Sequence, residues 1–156
     1  ALELIQKNGY NNCDALCHLS EEELPKLKTI LTDDILYRRT LHCVTENARE
    51  KKAVNALKEN DLQLLGELLK QSHQSLRNNY EVSCQELDTL VDYANQFDGC
   101  LGARLIGAGF GGCSMAFVHK DKVKKFIDEL SKFYKEKIGY EASFFSCTAG
   151  DGTHII

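Results

Sequence analysis

The sequence predicts an α+β fold in which helices pack on one face of a mainly antiparallel, ferredoxin-like sheet. The first observation is glycine placement: nine of the eleven glycines lie at or after Gly99, and the sole proline is Pro25. Because glycine and proline disfavour helix interiors, the earlier residues are free to be almost entirely helical. The second is the apolar spacing, which changes from steps of three and four to short strand-like runs near Gly99. We therefore expect one domain with a helical block, about 1–98, and a sheet-forming block, about 99–156.

The composition is that of a single folded domain. The chain has 156 residues, of which 43% are hydrophobic and 27% charged, which excludes a disordered or fibrous protein. The formal charge is −4, so neither a nucleic acid nor a membrane is an expected partner. No apolar run is long enough to cross a bilayer, and the first residues lack the pattern of a signal peptide. These features predict a cytoplasmic location.

Two helices of the first block have capping signals at their starts. Ser83 followed by Glu86 has the spacing of a capping box, and residues 83–97 then place apolar side chains on one stripe. Asn60 with Gln63 indicates a second start, followed by a leucine-rich stripe. Both helices are therefore expected to be amphipathic and packed on one side.

Two further helices precede them. Residues 33–58 carry apolar residues along a long and otherwise charged segment, which predicts a helix. Residues 20–31 predict a shorter helix that begins near Pro25, because proline is tolerated in a first helical turn.

The second block has the pattern of strands around one more helix. Leu101–Ile106 and Cys113–Val118 are predicted to form a hairpin, and Glu141–Cys147 a third strand. Thr153–Ile156 is predicted to add a short fourth strand. Between the hairpin and the third strand, Asp121 is predicted to cap a helix with a complete apolar stripe.

The predicted hairpin has an unusually glycine-rich loop. Its glycines satisfy a G-x-G-x-x-G pattern, but a dinucleotide site needs a helix directly afterwards and a strand is predicted instead. No Lys-Ser or Lys-Thr follows, which excludes a Walker loop. Two interpretations remain: a wide turn, or a loop whose bare backbone lets another chain or a phosphate approach its N–H groups. The candidate residues are Gly107, Ala108, Gly109, Phe110, Gly111 and Gly112.

Cysteines and histidines predict no separate site. The seven cysteines are odd in number and scattered, which favours free thiols over a disulfide framework. Cys13, Cys17 and His18 lie close together, but a zinc site usually shows a second close pair of ligands, so no metal site is predicted. His73 lacks an acidic neighbour and is expected on a helix surface, and no catalytic residue is predicted. The remaining histidines are expected to face solvent: His18, His42, His119 and His154.

Three segments together resemble one enzyme family. GARLIGAGFGGCSMAFV, residues 102–118, resembles the third signature of the GHMP small-molecule kinases. SHQSLRNNYEVSCQELDTLV at 72–91 and YRRTLHCVTENARE at 37–50 are similar to the segments upstream of that signature, most closely in the galactose-phosphorylating branch. The resemblance covers the chain essentially end to end, but only the C-terminal half of such a kinase.

The resemblance implies a GHMP kinase C-terminal domain from an enzyme that transfers the γ-phosphate of ATP to the C1 hydroxyl of galactose. In that family the N-terminal domain supplies the sugar-binding motif, the phosphate loop, the magnesium ligands and the catalytic base, and none of these motifs occurs in this sequence. We therefore expect a piece of a longer protein that is inactive alone, with ATP and magnesium held mainly by the absent N-terminal domain. The resemblance implies that residues 107–112 approach the nucleotide phosphates.

Two other interpretations are compatible with the sequence. One is a GHMP kinase with another substrate, such as N-acetylgalactosamine or mevalonate. The other is a free-standing ferredoxin-like module that uses the glycine loop to bind a small ligand or a partner.

Overall fold

A computed structural model describes residues 1–148 and Gly150. In this part of the chain, six α-helices accompany one two-stranded antiparallel sheet, which confirms the α+β class. The helices are α1 (Leu2–Lys7), α2 (Leu24–Ile30), α3 (Asp34–Lys58), α4 (Leu62–Ser75), α5 (Gln85–Gln96) and α6 (Val123–Ile138). The strands are β1 (Cys100–Leu105) and β2 (Ser114–Val118). None of these helices is both long and apolar enough to span a bilayer.

Aspartate side chains cap the N-termini of α3 and α4. The Asp33 carboxylate accepts the Leu36 N–H at the start of α3, in agreement with the predicted helix over 33–58. At the start of α4, Asp61 accepts the Leu64 N–H, so the predicted cap at Asn60 is one residue early. Asn60 has φ 55° and forms the turn between the helices, which leaves the capping position to the next residue.

Two other predicted caps are wrong for local reasons. The Ser83 hydroxyl donates to the Asp88 carboxylate at 2.6 Å, and α5 begins after it without a side-chain cap. Asp121 lies within the 3₁₀ turn Lys120–Lys122, so α6 begins one residue later than a cap at Asp121 predicts. The helix predicted near Pro25 is confirmed.

The sheet consists of a short hairpin. Ala103 pairs with Ala116 and Leu105 with Ser114, and a bulge lies near Cys100. The predicted third strand, Glu141–Cys147, is wrong: this segment is irregular and pairs with none of the described residues. Its Phe144 packs on the core, whereas Phe145 is 91% exposed. The segment therefore contacts the core through an apolar side chain and not through strand hydrogen bonds. The predicted fourth strand lies outside the described residues.

Glycine allows close contact between the helical layer and the sheet. α4 packs on β1 where Gly66 lies against Gly102. A Cβ at Gly66 would lie 2.2 Å from the Leu101 carbonyl oxygen, and one at Gly102 would lie 2.2 Å from the Gly66 carbonyl oxygen. Only residues without a side chain fit at this crossing.

The core beneath the end of the hairpin is small and separate. Its buried residues are contributed by the turn after α4, by α5 and by β1: Leu76, Val82, Leu87 and Leu105. This cluster supports the start of the glycine-rich loop, because Leu105 is fully buried in it and is the last residue of β1.

Candidate functional site

The glycine-rich loop connects β1 to β2 with a left-handed backbone. The Ile106 N–H donates to the Cys113 carbonyl at 2.9 Å and closes the base of the loop. Four residues between them have positive φ: Gly107 at 75°, Gly109 at 85°, Phe110 at 57° and Gly111 at 105°. Glycine is favoured at such positions because an L side chain clashes with the backbone there.

The glycines of the loop have different surroundings. Gly109 is buried, and a Cβ there would lie 2.1 Å from the Val82 carbonyl oxygen. By contrast, a Cβ at Gly107 or at Gly111 would meet nothing within 4 Å. Gly109 therefore permits contact with the domain, whereas the other two leave open backbone at the surface.

Several backbone donors of the loop are unused. The Phe110 N–H donates to the Val82 carbonyl at 2.8 Å, and the Gly112 N–H to the Gly109 carbonyl at 3.2 Å. No described residue accepts a hydrogen bond from the N–H of Gly107, Ala108 or Gly111, all of which are exposed. Exposed backbone N–H groups that lack an internal acceptor can donate to an anion such as phosphate. The loop therefore presents donors suited to a phosphate group.

Phe110 is an exposed aromatic residue beside these donors. Its side chain is 74% exposed, although its backbone has φ 57°. A bulky residue in the left-handed region is uncommon and persists only where the surroundings hold it. The hydrogen bond to Val82 is such a constraint.

Next to Val82 in the chain, the carboxylate of Glu81 binds two arginines of α3. Arg38 Nη1 lies 2.7 Å from Glu81 Oε1, and Arg39 Nη2 lies 2.5 Å from Glu81 Oε2. Arg38 also donates to the Asn78 carbonyl at 3.0 Å, and Arg39 donates to the Asn79 carbonyl. These hydrogen bonds from Arg38 and Arg39 lower the pKa of the Glu81 carboxyl. We call Arg38, Arg39 and Glu81 the arginine brace.

His73 lies in the core, which corrects the expectation of a helix-surface residue. It is 3% exposed; its Nδ1 accepts the Leu105 N–H at 3.3 Å, and its Nε2 lies 3.4 Å from Asp88 Oδ1. Burial lowers the pKa of His73 below its ordinary value of 6.5. The Asp88 carboxylate already binds Ser83 and Arg77, at 2.6 and 3.0 Å. The cluster connects α4, α5 and β1 rather than forming an exposed acid–base pair.

His42 is also buried, contrary to the predicted solvent exposure. Its ring stacks on Tyr80 with centroids 4.6 Å apart, and its Nδ1 lies 3.0 Å from Ser75 Oγ. His18 and His119 are exposed as expected, and His154 lies outside the described residues. No local pattern indicates that His42 and His73 are buried, because their partners belong to other elements.

A groove of about 600 Å³ beside α3 and α4 contains a second polar cluster. Glu46 accepts hydrogen bonds from Ser72, Arg49 and Arg104, the last at 3.1 Å. Glu46 offsets one of the two arginine charges. Across residues 1–148, no three His, Cys, Asp or Glu side chains are arranged to hold a metal, and all seven cysteines are free thiols.

Comparison with known proteins defines the class of this fold. The family described as GHMP kinases C terminal matches residues 53–136, and the chain belongs to that family. The resemblance seen in the sequence is thus confirmed.

Particular relatives lie within one branch of the family. The galactokinase of Staphylococcus carnosus is 47% identical over 156 residues, covering 100% of this chain and 40% of the relative. The galactokinase of Clostridium perfringens strain SM101 is 47% identical over 152 residues, covering 97% of this chain and 39% of the relative. The chain thus spans about two fifths of the length of these relatives.

A solved structure has the same fold. The crystal structure of Lactococcus lactis galactokinase complexed with galactose matches with a TM-score of 0.88 at 42% identity. The match covers 92% of this chain and 37% of that one.

Proposed function

We infer that this chain is the C-terminal part of a galactokinase, an enzyme that transfers the γ-phosphate of ATP to the C1 hydroxyl of galactose. Relatives named galactokinase that are 47% identical across the whole chain support this proposal. Because the chain spans only about 40% of such a relative, the remainder of the enzyme is the expected partner: an N-terminal domain that carries the sugar site and the base.

The glycine loop is the part of the site that this chain contributes. The observation that carries this role is the set of unused, exposed N–H groups at Gly107, Ala108 and Gly111. Phosphoryl transfer depends on positioning the nucleotide and stabilising charge on its phosphates, and backbone donors do both without moving. In this proposal residues 107–112 form one wall of the nucleotide site.

The chain's own residues suit the phosphates better than they suit magnesium. Magnesium is bound through oxygen ligands, commonly one or two carboxylates together with substrate phosphates. Residues 106–113 contain no carboxylate. We therefore assign the magnesium ligands to the N-terminal domain.

The proposal is tested by an assay that couples ADP release to NADH oxidation. The purified full-length parent should consume ATP when galactose is added and form galactose 1-phosphate, whereas N-acetylgalactosamine and mevalonate should give little turnover. The isolated 156-residue chain should give none. A preference of the parent for either alternative substrate, or turnover by the isolated chain, would contradict the proposal.

A further inference from the structure

The tip of the glycine loop is attached to the rest of the domain at one place. Among backbone hydrogen bonds between described residues, the one from the Phe110 N–H to the Val82 carbonyl, 2.8 Å long, is the only one that leaves the loop tip. The remaining bonds either lie within the tip, between Gly112 and Gly109, or close its base. At the same place Gly109 lies against Val82. The position of the Val82 carbonyl therefore sets the position of the loop.

The turn before Val82 has an unusual backbone. Glu81 has φ 58°, in the left-handed region, although it is not a glycine. The Val82 N–H then donates to the Leu76 carbonyl at 3.1 Å, and the Val82 side chain is buried beside Leu87. A glutamate in this conformation needs a constraint that outweighs its steric cost.

The arginine brace supplies this constraint. It joins residues far apart in sequence, since Glu81 follows Arg38 by 43 positions and Arg39 by 42. The Glu81 side chain is 47% exposed, and ion pairs of that exposure contribute little to stability. The same two arginines also hold the carbonyls of Asn78 and Asn79, so they fix the whole turn onto α3. The arginine brace thus defines the geometry of the turn, although its expected contribution to stability is small.

We propose that Glu81 is a positioning residue for phosphoryl transfer: held by Arg38 and Arg39, it orients the Val82 carbonyl and through it the glycine loop. The proposal rests on the proposed function of the loop. Loss of the carboxylate would let the turn relax and displace the N–H groups that face the phosphates. Displacements of about 1 Å can lower rates by roughly a hundredfold when catalysis depends on orientation.

The test compares Glu81→Gln with Glu21→Gln in the full-length enzyme. Glu21 is a matched control because its side chain is 44% exposed and pairs with Lys52 at 3.2 Å, without contact to the loop. For Glu81→Gln we expect kcat to fall by roughly tenfold or more while the KM for galactose is unchanged. For Glu21→Gln we expect both constants to equal those of the parent. Neither variant should shift Tm by more than about 3 °C.

A second variant and a second measurement separate the possible outcomes. Glu81→Gly removes the carboxylate but favours the left-handed backbone, so it should fold well and still lose kcat. In both Glu81 variants, the amides of residues 106–113 should exchange hydrogen faster than in the parent. If the parent is active and the Glu81 variants keep its kcat, the proposal is overturned. It is also overturned if the exchange rates of residues 106–113 are the same in the variants and the parent. An inactive parent would instead contradict the proposed function, and the exchange data would still decide whether Glu81 holds the loop.

Discussion

Glycine serves two different purposes at two places in this domain. At the crossing of α4 and β1, Gly66 and Gly102 are packed so closely that a side chain on either would overlap backbone at 2.2 Å. In the loop between the strands, Gly107 and Gly111 border open space and have positive φ. The crossing uses the small size of glycine, and the loop uses its conformational freedom. Stability is therefore expected to depend on the crossing, and activity on the loop.

A side chain at the crossing of α4 and β1 should strongly lower the stability of the domain. Replacing Gly102 by valine would place Cβ 2.2 Å from the Gly66 carbonyl oxygen, so the helix and the strand must separate. We expect the free energy of unfolding to fall by about 3 kcal/mol, at the upper end of the cost of overpacking. Chemical denaturation of the full-length protein measures this change.

Gly150→Val is the matched control for Gly102→Val. A Cβ at Gly150 would meet nothing within 4 Å, and neither glycine has a positive φ. The control should unfold at the same denaturant concentration as the parent. Equal midpoints for the two variants would contradict the role assigned to the crossing.

A smaller difference is expected between two glycines of the same loop. Alanine at either Gly109 or Gly111 adds backbone strain, because both have positive φ. Only at Gly109 would Cβ also collide with the Val82 carbonyl oxygen, at 2.1 Å. Gly109→Ala should therefore cost about 1–3 kcal/mol more in unfolding free energy than Gly111→Ala. Denaturation curves with equal midpoints would show that the contact with Val82 does not constrain the loop.

A weaker effect is expected from the buried histidines, which make the stability of the domain depend on pH. Burial lowers the pKa of both His42 and His73 below the ordinary value of 6.5, so the unfolded chain binds protons more readily than the folded one. Stability should therefore be complete above pH 6.5 and decline as the pH falls below it. Thermal melts between pH 8 and pH 5 should show a falling Tm. Replacing exposed His119 by glutamine should leave that decline unchanged, whereas a flat profile in the parent would contradict the assignment.

The features that the sequence predicted are those encoded locally. The boundaries of α3 follow from the apolar spacing and from Asp33, all within one segment. The loop at residues 107–112 was identifiable because four of its six residues are glycine, which disfavours regular secondary structure. The start of α5 was mispredicted because Asp88, one turn into the helix, binds the serine expected to cap it.

The features that the sequence did not predict depend on distant partners. A strand at Glu141–Cys147 would require a neighbour to pair with, and no described residue provides one. His73 was assigned to the surface because its partners, Leu105 and Asp88, belong to other elements. The arginine brace was missed for the same reason, since it joins residues more than 40 positions apart.

The claim that the glycine loop takes part in catalysis is tested by kcat per folded molecule in Gly111→Val of the full-length enzyme. Gly9→Val is the matched control, because Gly9 has φ 100° against 105° at Gly111 and both border open space. The two variants carry the same backbone strain, so they should lose similar stability in thermal melts. We predict that kcat, corrected for the folded fraction by active-site titration, falls by about a hundredfold in Gly111→Val and stays normal in Gly9→Val. Near-normal turnover by well-folded Gly111→Val would contradict the claim and leave the loop as a turn.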